Sequence, residues 1–404
     1  MEKRKPPKIQ DYHSIVGEGF IRELELLAQR LSTKSVYLVN FATGDGMLNQ
    51  IVLLLNQLGV DIRWKGSIKG EERFFEVIKR FEAVLQGKSV EILKDDFLIF
   101  EETTERNIDR LKLDGDVIFI PNYQPVGLVK RKKELANQWV WECQFDVSKA
   151  DPKVWTFLRS FIDEYDAAVF PTPNFAQPLP IRRFIIRPSI DPLSDRNKEL
   201  PDSEVKAIRE EFGINTKKPI ITQVSPFDSL ENPFELIEVF KLLKRDIDCQ
   251  LVLAGEKPRS EELLNQIKER AKACEDIHIL PLGSNSDIEV NALERASTIV
   301  VQQSLKEGFG IEASEALWKA KPVVASPFGG VPLQVKPNIN GILAHSVEEM
   351  AEALSYLLNN PEYARWLGKN GKEHIKQNFL ITRQLRDYLL LFLSLEHPQD
   401  IVYL

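Results

Sequence analysis

Two glutamates stand eight positions apart around a glycine-flanked turn: Glu307, Gly308, Phe309 and Gly310, then Ile311 to Ser314, then Glu315. A carboxylate in a loop and a second on the helix behind it can work on different parts of one extended ligand. The spacing predicts Glu307 in the loop and Glu315 two turns into a helix over 311–318. Gly308 and Gly310 let backbone N–H groups approach a ligand closely, and the helix N-terminus behind them favours an anion such as a diphosphate. From these residues alone, a strand–turn–helix with two solvated glutamates stays open as the competing reading.

The elements that must position this turn repeat along the chain. Short runs rich in Val, Ile and Leu alternate with longer amphipathic stretches, the pattern of mostly parallel sheets flanked by helices. Strands are expected at 36–41, 117–120, 140–145 and 168–170, with helices at 47–58 and 152–165. A Pro-punctuated connection over 184–193 then ends the first series. The pattern restarts with strands at 220–224, 250–254, 277–280, 298–302 and 322–325, and with helices at 233–243, 260–273 and 311–318. The expected architecture is α/β: two Rossmann-like doubly wound lobes, 1–190 and 191–378, with the site in the cleft between them beyond the strand ends. The apolar segment 379–395 opens a C-terminal stretch, 379–404, expected to pack back on the first lobe as a helix rather than meet a membrane.

Composition narrows the function. With 404 residues, 43% hydrophobic and 28% charged, the chain is an ordinary globular one of two or three domains. Sixty acidic residues against 53 basic ones give a net charge of −7, which argues against general nucleic-acid binding. Three cysteines and a charged start point to a reducing cytoplasm and no signal peptide. The longest apolar run, Leu389 to Leu395, falls far short of the ~20 residues that span a membrane. His278 and His345 are isolated, and no Cys/His spacing suggests a metal. Trp139, Trp141 and Trp155 read as core or interface residues rather than sugar platforms.

EGFGIEASEALWKAKPVVASPFGGV, from Glu307 to Val331, resembles the signature of the retaining GT-B glycosyltransferases that share an E-x7-E motif. DYHSIVG, SVYLVNF, FEAVLQG, WVWECQFDVS, FIIRPSIDPLS, ITQVSPFD and the stretch from Asn291 to Val335 narrow the resemblance to the trehalose-synthase type, over nearly the full length. That type transfers glucose from a nucleotide sugar to glucose. The resemblance implies a donor held mainly by the second lobe and an acceptor held by the first. Glu307 would face the donor sugar, Gly308, Phe309 and Gly310 would supply backbone contacts, and Glu315 would bind the ribose hydroxyls. It also implies no cofactor and no metal, so that protein cations and dipoles must stabilise the leaving diphosphate. Relatives form dimers through the first lobe, and a homodimer or a protein partner is the matching expectation here.

Departures from that pattern cluster where chemistry is expected. At the position after the strand residues ITQVS, which end at Ser225, the family usually carries Arg, and five further on Lys, both gripping the diphosphate; this chain has Pro226 and Glu231 there. Each charge-assisted phosphate contact is worth roughly 1.5 to 3 kcal/mol, so losing two weakens the grip by about 3 to 6 kcal/mol, a factor of ~10² to 10⁴. The acceptor-side glycine turn keeps Gly44 and Gly46 but inserts Asp45, and of the family's H-D-P-Q only Gln124 survives. The family's Arg-x-His becomes Glu142-Cys143-Gln144, with Asp146 retained. On these residues Glu307, Gln144 and Asp146 are the catalytic candidates, and two outcomes stay open. The chain is either a hexosyltransferase with changed substrates, for which Lys306 or Lys321 could reach phosphate, or an inactive relative that senses a nucleotide sugar or serves as a scaffold.

Overall fold

Runs such as Val117–Pro121 and Ile220–Val224 are buried along their whole length, as strands covered on both faces must be. The computed structural model describes residues 6–41, 46–215, 217–227, 231–258, 261–305 and 308–397. The chain divides into two compact units: Met1–Pro188 together with Thr382–Leu404, and Ser189–Ile381.

The first unit holds a six-stranded sheet. Its strands are β1 (Ser35–Asn40), β2 (Asp61–Ser67), β3 (Val117–Pro121), β4 (Gln138–Glu142), β5 (Ala167–Phe170) and β6 (Arg182–Ile185). They lie in the order β2-β1-β3-β4-β5-β6, and each neighbouring pair is parallel. Sequence reading did not find β2, an edge strand in which a single residue, Ile62, is buried. Trp139 and Trp141 of β4 are wholly buried core residues, as expected.

The helix Ile381–Glu396 closes this unit. Tyr388 and Phe392 meet Phe119 of β3 edge-on, with ring centroids 5.7 and 6.2 Å away. Gln138 and Arg182 donate to the Leu395 and Ser394 carbonyls near its end at 2.8 and 2.9 Å. The apolar face of the C-terminal segment is therefore a core element of the first unit. Among the described residues no helix is long and apolar enough to cross a membrane.

The second unit holds another six-stranded parallel sheet. Its strands are β7 (Ile220–Val224), β8 (Gln250–Glu256), β9 (Ile277–Leu282), β10 (Ile299–Gln302), β11 (Val323–Ala325) and β12 (Gly341–Leu343). Their order, β12-β11-β10-β7-β8-β9, reverses direction between β7 and β10. That arrangement is the doubly wound dinucleotide-binding topology, whose ligands lie outside the carboxyl ends of the strands near the reversal. Both sheets are Rossmann-like, and the architecture is that of the GT-B fold.

Candidate donor site

An open pocket of about 280 Å³ lies where those rules place a ligand, at the carboxyl ends of β7, β8 and β9. Ser225 and Pro226 follow β7 along one wall, and Gly255 and Glu256 end β8 on another. Here β7 and β8 approach so closely that a Cβ on Gly255 would lie 1.7 Å from the Ser225 carbonyl oxygen. Only glycine fits.

Arg196 also lines the pocket, and sequence reading did not single it out. Its Nε lies 2.6 Å from Glu315 Oε2 and its guanidinium 3.5 Å from Asp287. Burial works against its charge, but Glu315 and Glu294 hold its pKa above the ordinary arginine value. The segment that carries Arg196 is tied down from two helices. From Asp287–Ala296, Asn291 donates to the carbonyls of Asp195 and Lys198 at 2.9 and 2.8 Å. From Ile311–Trp318 and the residue after it, Trp318 donates to Asn197 O at 3.2 Å and Lys319 to Asn197 Oδ1 at 3.0 Å. Beneath them Lys319 Nζ meets Glu294 at 2.6 Å, both side chains being fully buried.

Glu315 is 5% exposed, so it is no solvated carboxylate. It is the fifth residue of the Ile311–Trp318 helix, hence little more than one turn in, rather than the two turns expected. Gly310 enters that helix with φ of 73°, a left-handed conformation that β-carbons disfavour. The turn before it is pinned from behind: Gly330 N–H donates to Gly308 O at 2.8 Å, and the Gln334 amide donates to Phe309 O at 2.5 Å. The Phe309 ring packs 5.8 Å from that of Phe379. Gly330 thus belongs to the same construction as the turn, and a Cβ there would lie 2.5 Å from the Phe309 ring. Glu307 and Lys306 lie outside the described residues.

Ser225 accepts a hydrogen bond from Gln223 at 3.1 Å. Glu231 takes a hydrogen bond from Ser304 at 3.1 Å, and a small recess joins it to Ser225 and Pro226. Lys321 cannot serve phosphate in this pocket. It precedes β11, at the amino edge of a parallel sheet whose carboxyl edge carries the pocket. Burial, with Arg295 nearby, pulls its amine down to about 8.

In the first unit, Gln144 is exposed and donates to Glu142 Oε2 at 3.1 Å. The other Glu142 oxygen accepts from Tyr388 at 2.6 Å, so the carboxylate that replaces the family's arginine is buried and held. Asp146 accepts from Ser148 N–H at 2.8 Å within its own turn. Gln124 is buried, and its side-chain oxygen has no hydrogen-bond partner among the described residues. Two residues before it Asn122 takes φ of 147°, a strained backbone of the kind that gathers at functional sites. Gly46 begins the helix Gly46–Gln57, while Gly44 and Asp45 lie outside the described residues. Cys143 is buried, and desolvation pushes its thiol up to about 12, which removes it as a nucleophile. Among the described residues no group of three or more His, Cys, Asp or Glu side chains is placed to hold a metal ion.

Residues 43–177 match the model of the trehalose synthase N-terminal domain, and residues 204–374 match that of group 1 glycosyl transferases. The chain is 35% identical over 404 residues to the trehalose synthase of Pyrococcus horikoshii, covering 96% of both chains. It is 36% identical to the trehalose synthase of Rubrobacter xylanophilus, over 96% of this chain and 97% of that one. The chain belongs to the trehalose synthase family. Its fold is shared more widely: a sucrose-phosphate synthase structure from Thermosynechococcus elongatus superposes with a TM-score of 0.66 over 91% of this chain and all of that one, at 17% identity. Within the trehalose synthase family, the match to group 1 glycosyl transferases takes in the glutamate turn, Glu315 and the pocket from Ser225 to Asp287. Arg196 falls between the two matched segments.

Proposed function

We propose that this chain is a glycosyltransferase-type protein that binds a nucleotide sugar in its second unit and a small sugar in its first, through a site changed so far that it does not run the standard trehalose reaction. The observation that carries the donor assignment is the pocket at the ends of β7, β8 and β9, with the buried Glu315 held beside it by Arg196. A carboxylate so placed suits the paired hydroxyls of a ribose. The side-chain oxygen of buried Gln124, without a hydrogen-bond partner among the described residues, suits a hydroxyl of an acceptor sugar in the same way. Neither a cofactor nor a metal is proposed. Three free cysteines, two of them buried, accord with a reducing compartment such as the cytoplasm.

The family reaction would pass through attack of an acceptor hydroxyl on the anomeric carbon from the face the diphosphate leaves. The C–O bond to phosphate breaks as the new C–O bond forms, and the hydroxyl proton goes to the diphosphate. That chemistry needs cations at the leaving group and a polar partner beside the reacting sugar. Pro226, Glu231 and Gln144 stand at those positions, and Gln144 has no titratable proton to exchange. The alternative within the same scaffold, a nucleotide-sugar sensor, is favoured by this set of changes. Tight binding without donor turnover supports it, and turnover supports the enzyme.

Calorimetric titration with UDP-glucose, ADP-glucose and GDP-glucose tests the donor assignment. One of the three is expected to bind, and Glu315→Ala to weaken that binding at least tenfold; equal binding by wild type and variant would remove Glu315 from the site. Glucosyl transfer to glucose is expected to be absent in the wild type and to emerge in the triple variant Pro226→Arg, Glu231→Lys, Gln144→His. No gain in that variant would count heavily against a site disabled at those three positions.

A further inference from the structure

We propose that Arg196 sets the sugar selectivity of the donor pocket: it aims the Glu315 carboxylate, and through that carboxylate the site prefers a ribonucleotide to its 2′-deoxy form. The inference rests on the donor assignment above and names the residue on which Glu315 depends. Arg196 lines the pocket, while Glu315 is the deeper partner, its side chain 7% exposed against 28% for the arginine. A carboxylate with so little free surface meets a ligand only in the direction left open to it, so its rotamer decides whether a hydroxyl is met. Arg196 Nε takes one oxygen, Oε2, at 2.6 Å in a charge-assisted hydrogen bond. An ionised carboxylate offers about four acceptor sites, so this bond fixes the group and still leaves room for the paired hydroxyls of a ribose.

The arginine can aim its partner because it is held in turn. Its guanidinium, planar and always charged, also stands 3.5 Å from Asp287, which lies on a different helix from Glu315. The backbone around it is fixed carbonyl by carbonyl. Arg295 donates to Asn197 O and Lys198 O at 3.3 and 2.9 Å, beside the bonds from Asn291 and Trp318 described above. On the preceding side Leu193 N–H donates to Asp191 Oδ1 at 2.9 Å, and Asn197 Nδ2 donates to Ser194 Oγ at 3.3 Å. A contact residue whose support is locked in this way reads its ligand by geometry. Loss of Arg196 removes both the aim and the countercharge. Glu315 then turns away or takes up a proton, and in either case it accepts the ribose hydroxyls poorly. A residue that merely held the fold together would weaken the ribo and deoxy forms alike.

The test is calorimetry with UDP, ADP and GDP, each beside its 2′-deoxy form, on wild type, Arg196→Met and Arg196→Lys. Hydrogen bonds to a charged group are strong enough that the nucleotide bound by wild type is expected to lose about tenfold or more in affinity as its deoxy form. In Arg196→Met that ratio is expected to fall below about threefold, and in Arg196→Lys, which keeps a cation for Glu315 without the planar fork, to lie between the two. The lysine variant also covers the case in which Arg196→Met, with its stranded glutamate, fails to fold. Binding with the wild-type ratio in every variant that folds overturns the inference and leaves the donor assignment standing. A wild type that binds the two forms equally does the same. No binding of any of these nucleotides overturns the donor assignment and this inference together.

Discussion

Lys319→Met is expected to lower the stability of the second unit by about 3 to 5 kcal/mol, the usual cost of stranding one member of a buried ion pair. Lys319 and Glu294 are both wholly buried, with Nζ 2.6 Å from the carboxylate. Lys319 also donates to Asn197 Oδ1 at 3.0 Å and to the Glu315 carbonyl at 3.2 Å, so one ammonium serves three acceptors. Burial alone pushes the Glu294 carboxyl up, and Lys319 opposes that shift. Without the lysine the glutamate must either stay charged in a dry interior or take up a proton. At roughly 2 to 4 °C per kcal/mol for a unit of this size, the melting midpoint should fall by about 6 to 20 °C. The double variant Glu294→Leu, Lys319→Met should recover most of the loss, because an apolar pair removes the stranded charge. Thermal unfolding followed by circular dichroism checks both, and a single variant as stable as wild type would show that the pair contributes nothing. Nucleoside binding should also weaken in Lys319→Met, since the Asn197 contact helps to hold the segment bearing Arg196.

Gly255→Ala should cost about 3 kcal/mol or more and abolish binding in the donor pocket. The added methyl would lie 1.7 Å from the Ser225 carbonyl oxygen and 2.6 Å from its carbon, both backbone atoms. Relief requires β7 and β8 to part where Ser225 N–H donates to Ala254 O at 3.0 Å. Both walls of the pocket move together when they do. Urea unfolding and a nucleotide titration on the same sample test this; a loss below ~1 kcal/mol, the range of an ordinary substitution, would mean that the close approach is easily relaxed.

Much of the fold could be read because its signals are local. The strand Ile220–Val224 is flanked by turn residues and opens on two isoleucines, the helices Pro233–Leu243 and Ile311–Trp318 carry apolar residues at helical spacing, and their ends fall where those patterns stop. The strand Asp61–Ser67 escaped because an edge strand need not bury its side chains, and Asp61, Arg63 and Lys65 broke the apolar signal. At the site, the glutamate turn was legible from its glycines. The burial of Glu315 was not, because it depends on Arg196, 119 residues away along the chain. Nothing in the spacing of either residue points to the other. Arg196 lies just past the Pro-punctuated connection over 184–193, in a stretch with no periodic signal, and its anchors Asn291, Trp318 and Lys319 are ordinary residues in or just after helices until the chain folds.

The discontinuity of the first unit bears on the order in which the protein can be made. Tyr388 and Phe392 cover Phe119, yet the ribosome delivers them only after the whole of Ser189–Ile381 has been synthesised. The second unit is continuous and can finish folding while the first still waits for its closing helix. Until then the nascent chain carries an uncovered apolar face on its first sheet, the kind of surface that chaperones recognise. A stop codon anywhere before Ile381 would make that exposure permanent, so late truncations should yield aggregated protein even with the donor pocket intact.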